Sequence, residues 1–442
     1  MTYPATWAAT TLGHIRRNDA GRASTGRPDE VFELWSVPAY GAGRPEIVRG
    51  ADIGSTKQTV APGTVLVCKI NPRINRIWVV GPRTAHEQIA STEWISFFPV
   101  PGLEPRFLQY YLQQDSFRTY VASNVSGVGG SLMRVRPEVV ERFPFPLPPL
   151  AEQRRIVAAI EEHLSRLDAA AAALERVRTA LPRYRAAVLK AACEGKLVES
   201  ELRPTNSQNG QDLSPGWKWS KMSEIGTVQG GITKNPARKP VRHKFPFLRV
   251  ANVGRGKLDL SEIHEIELRH GELERLRLEQ GDLLIVEGNG SPTEIGRLAV
   301  WNGQIPDCVH QNHLIRHRPN ADIRPAYIAA YWNSPSGMAQ VMKAASSTSG
   351  LYTLSVGKVS SIRVPVPPVS EQDRILAEVD RRLSLADAAD RAVSAGLAKA
   401  KRLRQAILKR AFEGRLVRQD PNDEPASALL ERIRTARRRA TT

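Results

Sequence analysis

Residues that could carry catalysis occur in this chain without the spacing that catalysis requires. A methyltransferase active site needs a cofactor-binding glycine motif and an (Asn/Asp)-Pro-Pro-aromatic motif, and Asn71-Pro72-Arg73-Ile74 lacks the second pattern. An ATP-driven motor needs a phosphate-binding loop that ends in Gly-Lys-Ser/Thr, whereas Gly195-Lys196-Leu197 and two similar tripeptides end in a hydrophobic residue. A metal-dependent nuclease needs spaced carboxylates and a lysine, and Pro306-Asp307 lacks the downstream Glu-x-Lys. These patterns indicate a chain with no catalytic centre of its own.

Two further groups of residues fit a ligand site poorly. Cys308, His310 and His313 are of metal-ligating types, but no second cysteine lies nearby and the spacing matches no standard zinc finger. Residues 308–317 are better explained as a strand with alternating polar side chains. Gly288-Asn289-Gly290-Ser291 follows an apolar strand without opening a clear helix, so we expect a tight turn there and not a nucleotide site. The sequence therefore predicts no metal and no cofactor in this chain.

Basic and amide side chains are concentrated in loop segments of both halves of the chain. Such loops suit contacts to phosphates and readout of base edges. Any one of these residues is also explained as a solvated loop residue, so the prediction is made for the group. The candidate DNA-binding residues are Lys57, Lys69, Arg73, Asn75, Arg76, Arg134, Lys234, Asn235, Arg238, Lys239, Arg242, Lys244, Asn289 and Asn312, with His243 beside them.

The overall charge agrees with a polyanionic partner. The 442 residues include 63 Lys and Arg against 45 Asp and Glu, which gives a net charge of +18 and a pI near 10.1. An excess of this size is typical of proteins that bind nucleic acid. A basic chain from a proteome rich in alanine and arginine is the alternative.

Cysteine usage and hydropathy indicate the compartment. Cys68, Cys193 and Cys308 are few and far apart, so we expect no disulfide framework and a reducing cytoplasm. The N-terminal residues lack a basic start followed by an apolar stretch, so no secretion signal is predicted. No apolar run reaches 18 residues, so we expect no membrane span.

A duplicated unit organises the chain. Pro148-Pro149-Leu150-Ala151-Glu152-Gln153 returns 219 residues later as Pro367-Pro368-Val369-Ser370-Glu371-Gln372. The offset stays constant to residue 198, and the two copies match at 23 of 51 positions without a gap. Such self-similarity marks a repeated structural unit. We therefore expect the order variable unit, helical unit, variable unit, helical unit.

Heptad spacing predicts that each repeated unit is a long helix in a coiled coil. The Pro-Pro pairs suit helix entry, and Gly195 and Gly414 suit a stop after the last turn. Pro182 is expected to kink the first helix; its counterpart in the second is Lys401. We expect a second apolar row of Ile156, Ala170, Val177 and Tyr184, matched by Ile375, Ala389 and Leu403 in the second copy. A surface amphipathic helix is the alternative. The predicted seam consists of Ile160, Leu167, Leu174, Leu181, Val188, Val379, Ala386, Val393 and Ile407.

Antiparallel pairing of the two copies would give pseudo-two-fold symmetry and a spacer. About 30 helical residues span ~45 Å, which corresponds to ~13 base pairs of DNA. The variable units contain short apolar runs between Gly, Pro and Asn, such as residues 64–70 and 283–286, and a helical stretch near 105–121 and 324–343. The predicted fold class is α+β, with two α+β domains separated by two long helices that pair as an antiparallel coiled coil.

This doubled region resembles the repeated conserved regions of the specificity subunits of Type I restriction–modification systems. The resemblance is carried by the two Pro-Pro-(Leu/Val)-x-Glu-Gln segments, each of which leads to Leu-Lys-x-Ala-x-Glu-Gly-(Lys/Arg)-Leu-Val. Residues 69–76, 229–232, 247–253, 281–284 and 311–316, and the tail from Asp420, are also similar to that family.

The resemblance implies a division of labour. Each variable unit would be a target-recognition domain that reads one half of an asymmetric, two-part site on double-stranded DNA. The helical regions would set the gap and dock two modification methyltransferase subunits, which bind S-adenosylmethionine. A restriction and translocase subunit would use ATP and Mg²⁺. This chain would contribute recognition without catalysis.

Three alternatives remain at this point: an enzyme with a divergent site, a coiled-coil scaffold whose domains bind proteins, or a DNA-binding protein outside restriction–modification. The predicted regions are a first target-recognition domain (1–147), a first conserved helical region (148–198), a linker (199–213), a second target-recognition domain (214–366), a second conserved helical region (367–417) and a basic C-terminal tail (418–442).

Overall fold

The computed structural model describes residues 3–441 apart from 18, 25–26, 127–132, 200–212, 214–215, 290, 292–293 and 349–350. By their internal contacts the described residues form two compact units. The first holds residues 1–174 and 395–442, and the second holds residues 175–394. Both contain sheets and helices, as the predicted α+β class requires.

The first unit begins with a small domain of short strands. Its sheets have the strand orders β3-β2-β7-β4, β6-β5-β8, β1-β11 and β10-β9. Short α-helices lie between and after the strands. The strands are β1 (Ala8–Thr11), β2 (Val31–Trp35), β3 (Glu46–Arg49), β4 (Lys57–Thr59), β5 (Val65–Cys68), β6 (Ile77–Val79), β7 (Glu87–Ser91), β8 (Trp94–Phe97), β9 (Val125–Ser126), β10 (Arg134–Val135) and β11 (Pro144–Leu147); the helices are α1 (Leu12–Ile15), α2 (Pro105–Leu112), α3 (Asp115–Ser123) and α4 (Pro137–Glu141).

A long helix, α5 (Leu150–Cys193), follows directly. The second small domain of short strands then has sheets of order β13-β20-β16-β18, β15-β14-β19, β17-β22-β21 and β12-β23. Its strands are β12 (Lys218–Lys221), β13 (Gly226–Gly230), β14 (Lys244–Leu248), β15 (His264–Glu267), β16 (Leu283–Val286), β17 (Gly288–Asn289), β18 (Leu298–Val300), β19 (Val309–His310), β20 (Leu314–Pro319), β21 (Ser346–Thr348), β22 (Leu351–Thr353) and β23 (Arg363–Val366); its helices are α6 (Glu272–Leu276), α7 (Pro325–Trp332), α8 (Pro335–Ala344) and α9 (Val356–Ser361).

A second long helix, α10 (Val369–Phe412), and a tail helix, α11 (Ala426–Thr441), complete the chain. Each unit contains the first half of one long helix and the last half of the other. In the first unit, Leu174 packs on Gly396 and Asp168 pairs with Arg404, so the two helix segments run antiparallel. In the second unit, Arg185 pairs with Asp387. The prediction that the two long helices pack together is confirmed.

The two domains repeat the same closing strand pair. Ala8 is opposite Leu147 in β1–β11, and Lys218 is opposite Val366 in β12–β23. Leu147 and Val366 are separated by the 219 residues of the sequence repeat, so the duplication extends from the helices into the sheet that enters them. Trp7 and Trp217 precede the paired residues, and both are buried.

Each small domain packs its core against both long helices. In the first unit, Ile156 and Ile160 from α5 join Leu408 and Phe412 from α10 in one apolar cluster with the domain. In the second unit, the repeat-related residues Ile375, Val379, Leu189 and Cys193 take the same places. Burial of such side chains is the main favourable term in folding, so each domain and its helix segments stabilise one another.

Some local expectations need correction. The helical stretches expected near 105–121 and 324–343 are each two helices, α2–α3 and α7–α8, interrupted at residues 113–114 and 333–334. The single strand expected over 308–317 is divided into β19 and β20 by a turn. Pro182, where we expect a kink, lies within α5, which continues as one helix to Cys193. Gly195 and Gly414 have φ of +66° and +69°, as expected of residues that end a helix.

Most of the predicted seam is shielded from solvent. Ile160, Leu181 and Val188 on α5 and Val379, Ala386 and Val393 on α10 are buried, and Leu167, Leu174 and Ile407 are half-buried. The second row is mixed, because Ile156 and Ile375 are fully buried whereas other members are exposed. Val177, Tyr184 and Leu403 are 45%, 42% and 42% exposed, so these positions do not belong to the closed seam.

Candidate nucleic-acid interface

Three candidate residues of the first domain are already bonded within it. Lys57 is buried, and its Nζ donates to the backbone oxygen of Ser55 at 3.0 Å and to its Oγ at 2.6 Å. Lys69 Nζ donates to the backbone oxygen of Thr92 at 2.6 Å. Arg134 makes a two-point contact with Glu93 at 3.0 and 3.1 Å. These bonds stabilise the domain, and they leave the three side chains with fewer donor groups available to bind DNA.

The turn at residues 71–75 presents its side chains differently. Asn71 and Asn75 have φ of +47° and +53°, in the left-handed region that non-glycine residues rarely adopt. Asn75 Nδ2 donates to the backbone oxygen of Leu112 at 2.8 Å, which ties the turn to α2. The exposed side chains of Arg73 and Ile74 lie between these two asparagines. Rare backbone conformations of this kind are concentrated at functional sites.

Arg76 extends the same surface. Its guanidinium lies 4.0 Å from the Cys68 sulfur, and Arg73 lies 3.9 Å from the Met133 sulfur. Both contacts are weak because thioether and thiol sulfur are poor acceptors. Arg73 and Arg76 are therefore the candidate cations of the first domain that are least committed to internal bonds.

The second domain has a basic segment at residues 234–244. Lys234, Lys239, Arg242 and Lys244 are exposed. A cleft of about 900 Å³ is lined by Lys234, Asn235, Pro236, Arg238, Lys239 and Pro240 together with Ile263, His264, Glu265 and Ile266. Within the part of the chain that the structure describes, none of these four cations is in an ion pair. These four side chains therefore present positive charge to solvent.

Two carboxylates hold this segment, one through its backbone and one through a side chain. Glu267 accepts hydrogen bonds from the backbone N–H groups of Val241, Arg242 and His243 at 2.7, 3.0 and 2.9 Å. These bonds hold the pKa of Glu267 below its usual value, because they favour the charged form. The loop is thus held by its main chain, which leaves the side chains of Arg242 and Lys244 free to face a ligand.

The second carboxylate, Glu272, holds Arg238. The two side chains make two hydrogen bonds of 2.7 and 2.8 Å, and the backbone N–H of Arg269 adds a third to Glu272. The hydrogen bonds from Arg238 are the main reason that the pKa of Glu272 is lowered to about 2. Arg238 is only 12% exposed. Its position favours a structural role in the loop over direct contact with DNA.

Sequence reasoning missed Glu267 and Glu272, since it looked only for positive charge. No local signal marks the two carboxylates, because they lie 24 to 34 residues along the chain from the groups of the basic segment that they bind. Asn312 is half-buried, and its backbone N–H donates to Ile232 at 2.9 Å. Asn289 pairs through its backbone with Tyr352, and its side chain lies outside the described residues. Asn235 is exposed beside Lys234.

Part of the positive charge is internal. Arg316 is 6% exposed and donates to Gln229 and to the backbone oxygen of Arg277. Arg318 bonds Asp282 at 2.8 Å. Burial lowers the pKa of His310 to about 3 and that of His317 to about 4, so both are neutral at pH 7. The hydrogen bonds of Arg316 and Arg318 hold β20 to the neighbouring segments.

A metal site is not supported at Cys308, His310 and His313. Cys308 and His310 are buried, whereas His313 is exposed and its Nδ1 lies 3.0 Å from Glu287. The described residues contain no group of three or more His, Cys, Asp or Glu that could hold a metal ion. Nor does any described helix have the length and apolar character needed to cross a membrane.

Curated relatives resemble this chain over most of its length. The specificity subunit of the Type I restriction enzyme EcoKI from Escherichia coli (strain K12) is 31% identical over 340 residues, 75% of this chain and 71% of that protein. The StySPI specificity subunit from Salmonella potsdam is 26% identical over 351 residues, 77% of this chain and 73% of that protein. No protein-family model matches the chain. The repeated helices and paired α+β domains thus define a specificity subunit, and the chain belongs to the family of Type I restriction enzyme specificity subunits.

Two solved structures share the fold. The HsdS subunit from Thermoanaerobacter tengcongensis is 23% identical, with a TM-score of 0.62 over 94% of this chain and 98% of that chain. A chain from a study of complex assembly and conformational transition of the type I R-M system is also 23% identical, with a TM-score of 0.72 over 94% of this chain and all of that chain. The resemblance inferred from the sequence motifs and the predicted fold class are both confirmed.

Proposed function

We propose that this chain is the non-catalytic subunit that selects the DNA target of a Type I restriction–modification complex. Membership of the specificity-subunit family supports DNA recognition within such a system. The observation that carries the finer proposal is the duplication. Two domains of different sequence are joined to the same helical frame, and each presents a basic surface segment with a restrained backbone.

The proposed target is asymmetric and has two parts. Each domain reads one half-site, and the halves differ because the domains differ in sequence. The first domain would contact DNA through the turn that carries Arg73 and Ile74. The second would use the segment with Lys239, Arg242 and Lys244. The helices favour a gap of fixed size: about 30 helical residues correspond to half-site centres ~13 base pairs apart, and the full 44 residues of each helix to ~19.

The helices are the proposed docking surface for two modification methyltransferase subunits. Val177 and Tyr184 are seven residues apart on α5, and both are exposed. Apolar residues at that spacing on a helix suit a partner helix. S-adenosylmethionine would then bind to the modification subunits, and ATP and Mg²⁺ to a restriction and translocase subunit. The cytoplasm is the proposed compartment, since the target is host and invading DNA.

Methylome sequencing tests this function. A host that carries the chain and its partner subunits is compared with the same host after deletion of this chain alone, and with a complemented strain. Loss of methyladenine from one gapped, asymmetric motif, with return on complementation, is the expected result. A motif without a gap, or a methylome unchanged by deletion, would contradict the proposal.

A further inference from the structure

The two recognition domains are joined to the long helices by an identical arrangement of hydrogen bonds around one buried glutamine. Gln153 is fully buried in the first unit, and Gln372 is fully buried in the second. The two residues are related by the repeat. Each lies in the first turn of a long helix, four residues after the second proline of the Pro-Pro entry, and its side chain reaches into the adjacent domain.

Gln153 joins three segments of the first unit. Its Oε1 accepts the backbone N–H of Glu104 at 2.9 Å. Its Nε2 donates to the backbone oxygens of Gly102 at 3.1 Å and Pro148 at 3.0 Å. Glu104 is the residue that caps the start of α2. One amide therefore connects the entry of α5 to the start of the domain's own helix.

Gln372 repeats the same three bonds in the second unit. Its Oε1 accepts the backbone N–H of Arg324, the capping residue of α7, at 2.8 Å. Its Nε2 donates to the backbone oxygens of Asp322 at 3.2 Å and Pro367 at 3.0 Å. All partners are backbone groups, so the arrangement is independent of the side chains by which the two domains differ.

A bond set of this kind restrains orientation more strongly than apolar packing does. Apolar contacts are non-directional, whereas hydrogen bonds weaken steeply with misalignment. Both amide hydrogens and the oxygen of each glutamine are used, in a site closed to water. A small rotation of the domain about the helix entry would lengthen at least one of the three bonds and leave a buried group unpaired, which is costly.

We propose that Gln153 and Gln372 are positioning residues that fix the orientation of each recognition domain on its helix and so determine how strictly the gap length of the DNA target is enforced. This inference rests on the proposed two-part target. Neither glutamine is expected to touch DNA. We expect the two glutamines to affect the orientation in which each domain meets the DNA, and not the bases that the domain reads.

The test measures gap discrimination in the assembled complex. Gln153→Met and Gln372→Met keep the side-chain volume but remove all three bonds. Each variant complex, and the wild type, is given duplexes that carry the target motif found by methylome sequencing, with the natural gap or with one base pair added or removed. The ratio of methylation rates at the natural and altered gaps is the readout. We expect each variant to lower this ratio by about three- to tenfold, the usual worth of one such bond, while the half-site bases remain the same.

Gln109→Met is the matched control. Gln109 is a buried glutamine on α2 whose Nε2 donates to Ile77 within the first domain and does not reach α5. It is expected to lower the melting temperature without changing the gap ratio. If Gln153→Met does not fold, Gln153→Asn, which is one methylene too short for the three bonds, takes its place.

The outcomes separate the two proposals. A wild-type complex that methylates all gaps equally would overturn the two-part target. A wild-type complex that discriminates between gaps, with both methionine variants retaining the full ratio, would overturn the role of the glutamines and leave the target proposal intact. A ratio that falls equally in Gln109→Met would show a general loss of stability and would also overturn it.

Discussion

Arg404 Nη2 donates to both carboxylate oxygens of Asp168, at 2.6 and 2.8 Å, between the two helix segments of the first unit. Arg185 and Asp387 form the same ion pair in the second unit, and they are the repeat counterparts of Arg404 and Asp168. Asp168 is 61% exposed, so the pair contributes little to stability. The pair instead favours one register of the two helix segments, because a shift of one segment along the other would separate Asp168 from Arg404.

Helix register in the first unit also depends on Gly396. A Cβ at this position would lie 2.8 Å from Cδ1 of Leu174. We predict that Gly396→Leu lowers the free energy of unfolding by about 1–3 kcal/mol through overpacking. Leu174→Ala in the same chain should recover a large part of that loss. Denaturant unfolding of both single variants and the double variant measures the coupling, and strictly additive effects would show that the two residues do not share one space.

The helical half of this architecture could be predicted from the sequence because its signals are local. The constant 219-residue offset, the Pro-Pro entries, and Gly195 and Gly414 determine where α5 and α10 begin and end. The heptad pattern could not show that Val177 and Tyr184 would remain exposed. An apolar row has the same spacing whether it packs against one neighbouring helix or stays exposed until a third helix binds.

The candidate interface was less predictable because the partners of its charges are distant in sequence. Arg134 is bonded to Glu93, and Arg238 to Glu272, across 41 and 34 residues. The amino-acid composition includes all four charged residues but cannot show which of them form ion pairs with one another. The unusual turn at Asn71 and Asn75 was equally hidden, since asparagine occurs in many loops with ordinary backbone angles.

Charge reversal in the basic segment of the second domain should weaken DNA binding. We predict that Lys239→Glu, Arg242→Glu and Lys244→Glu together reduce affinity for the target duplex at every sequence tested. They should also lower the slope of log affinity against log salt by about 2–3, near 0.9 for each lost phosphate contact. Fluorescence anisotropy over a salt series measures both. Lys399→Glu, at an exposed position of α10, is the control for net charge. An unchanged slope in the triple variant would place the DNA elsewhere.

Removal of Glu267 should also weaken binding, although it makes the protein more positive. The carboxylate fixes three backbone N–H groups of the basic segment. In Glu267→Ala the segment loses this restraint, and ordering it on DNA then costs conformational entropy. Electrostatic attraction alone predicts the opposite result, in which the more positive Glu267→Ala variant binds DNA more tightly. Glu265→Ala makes the same charge change at an exposed neighbouring position and should bind at least as tightly as the wild type. Tighter binding by Glu267→Ala in the same assay would refute the positioning role.

Glu152 should make stability depend on pH. Burial raises the pKa of this carboxyl above its usual value of 4.5, although contacts with Trp7 and Arg155 oppose the shift. The Glu152 carboxyl therefore loses its proton at lower pH in the unfolded chain than in the folded chain. For this reason the free energy of unfolding falls as pH rises from about 4.5 through the folded pKa. We predict that Glu152→Gln gains stability relative to the wild type over that window. Thermal unfolding at pH values from 4 to 7 checks this, and a constant difference between the two proteins would contradict it.

The exposed row on α5 should be needed for assembly. In the second unit Val177 and Tyr184 lie seven residues apart, and Leu385 on α10 is 56% exposed. We predict that Tyr184→Glu reduces the amount of modification subunit that co-purifies with this chain by about tenfold or more, because a carboxylate would have to be desolvated in the interface. The fold and melting temperature should stay close to those of the wild type, since the side chain already faces solvent. Thr179→Glu places the same charge at another exposed position of α5 and should assemble normally. If both variants lose the modification subunit to the same degree, the effect is one of charge on the helix as a whole. If neither does, the docking surface does not include this row, and the modification subunits must bind to another face of the chain.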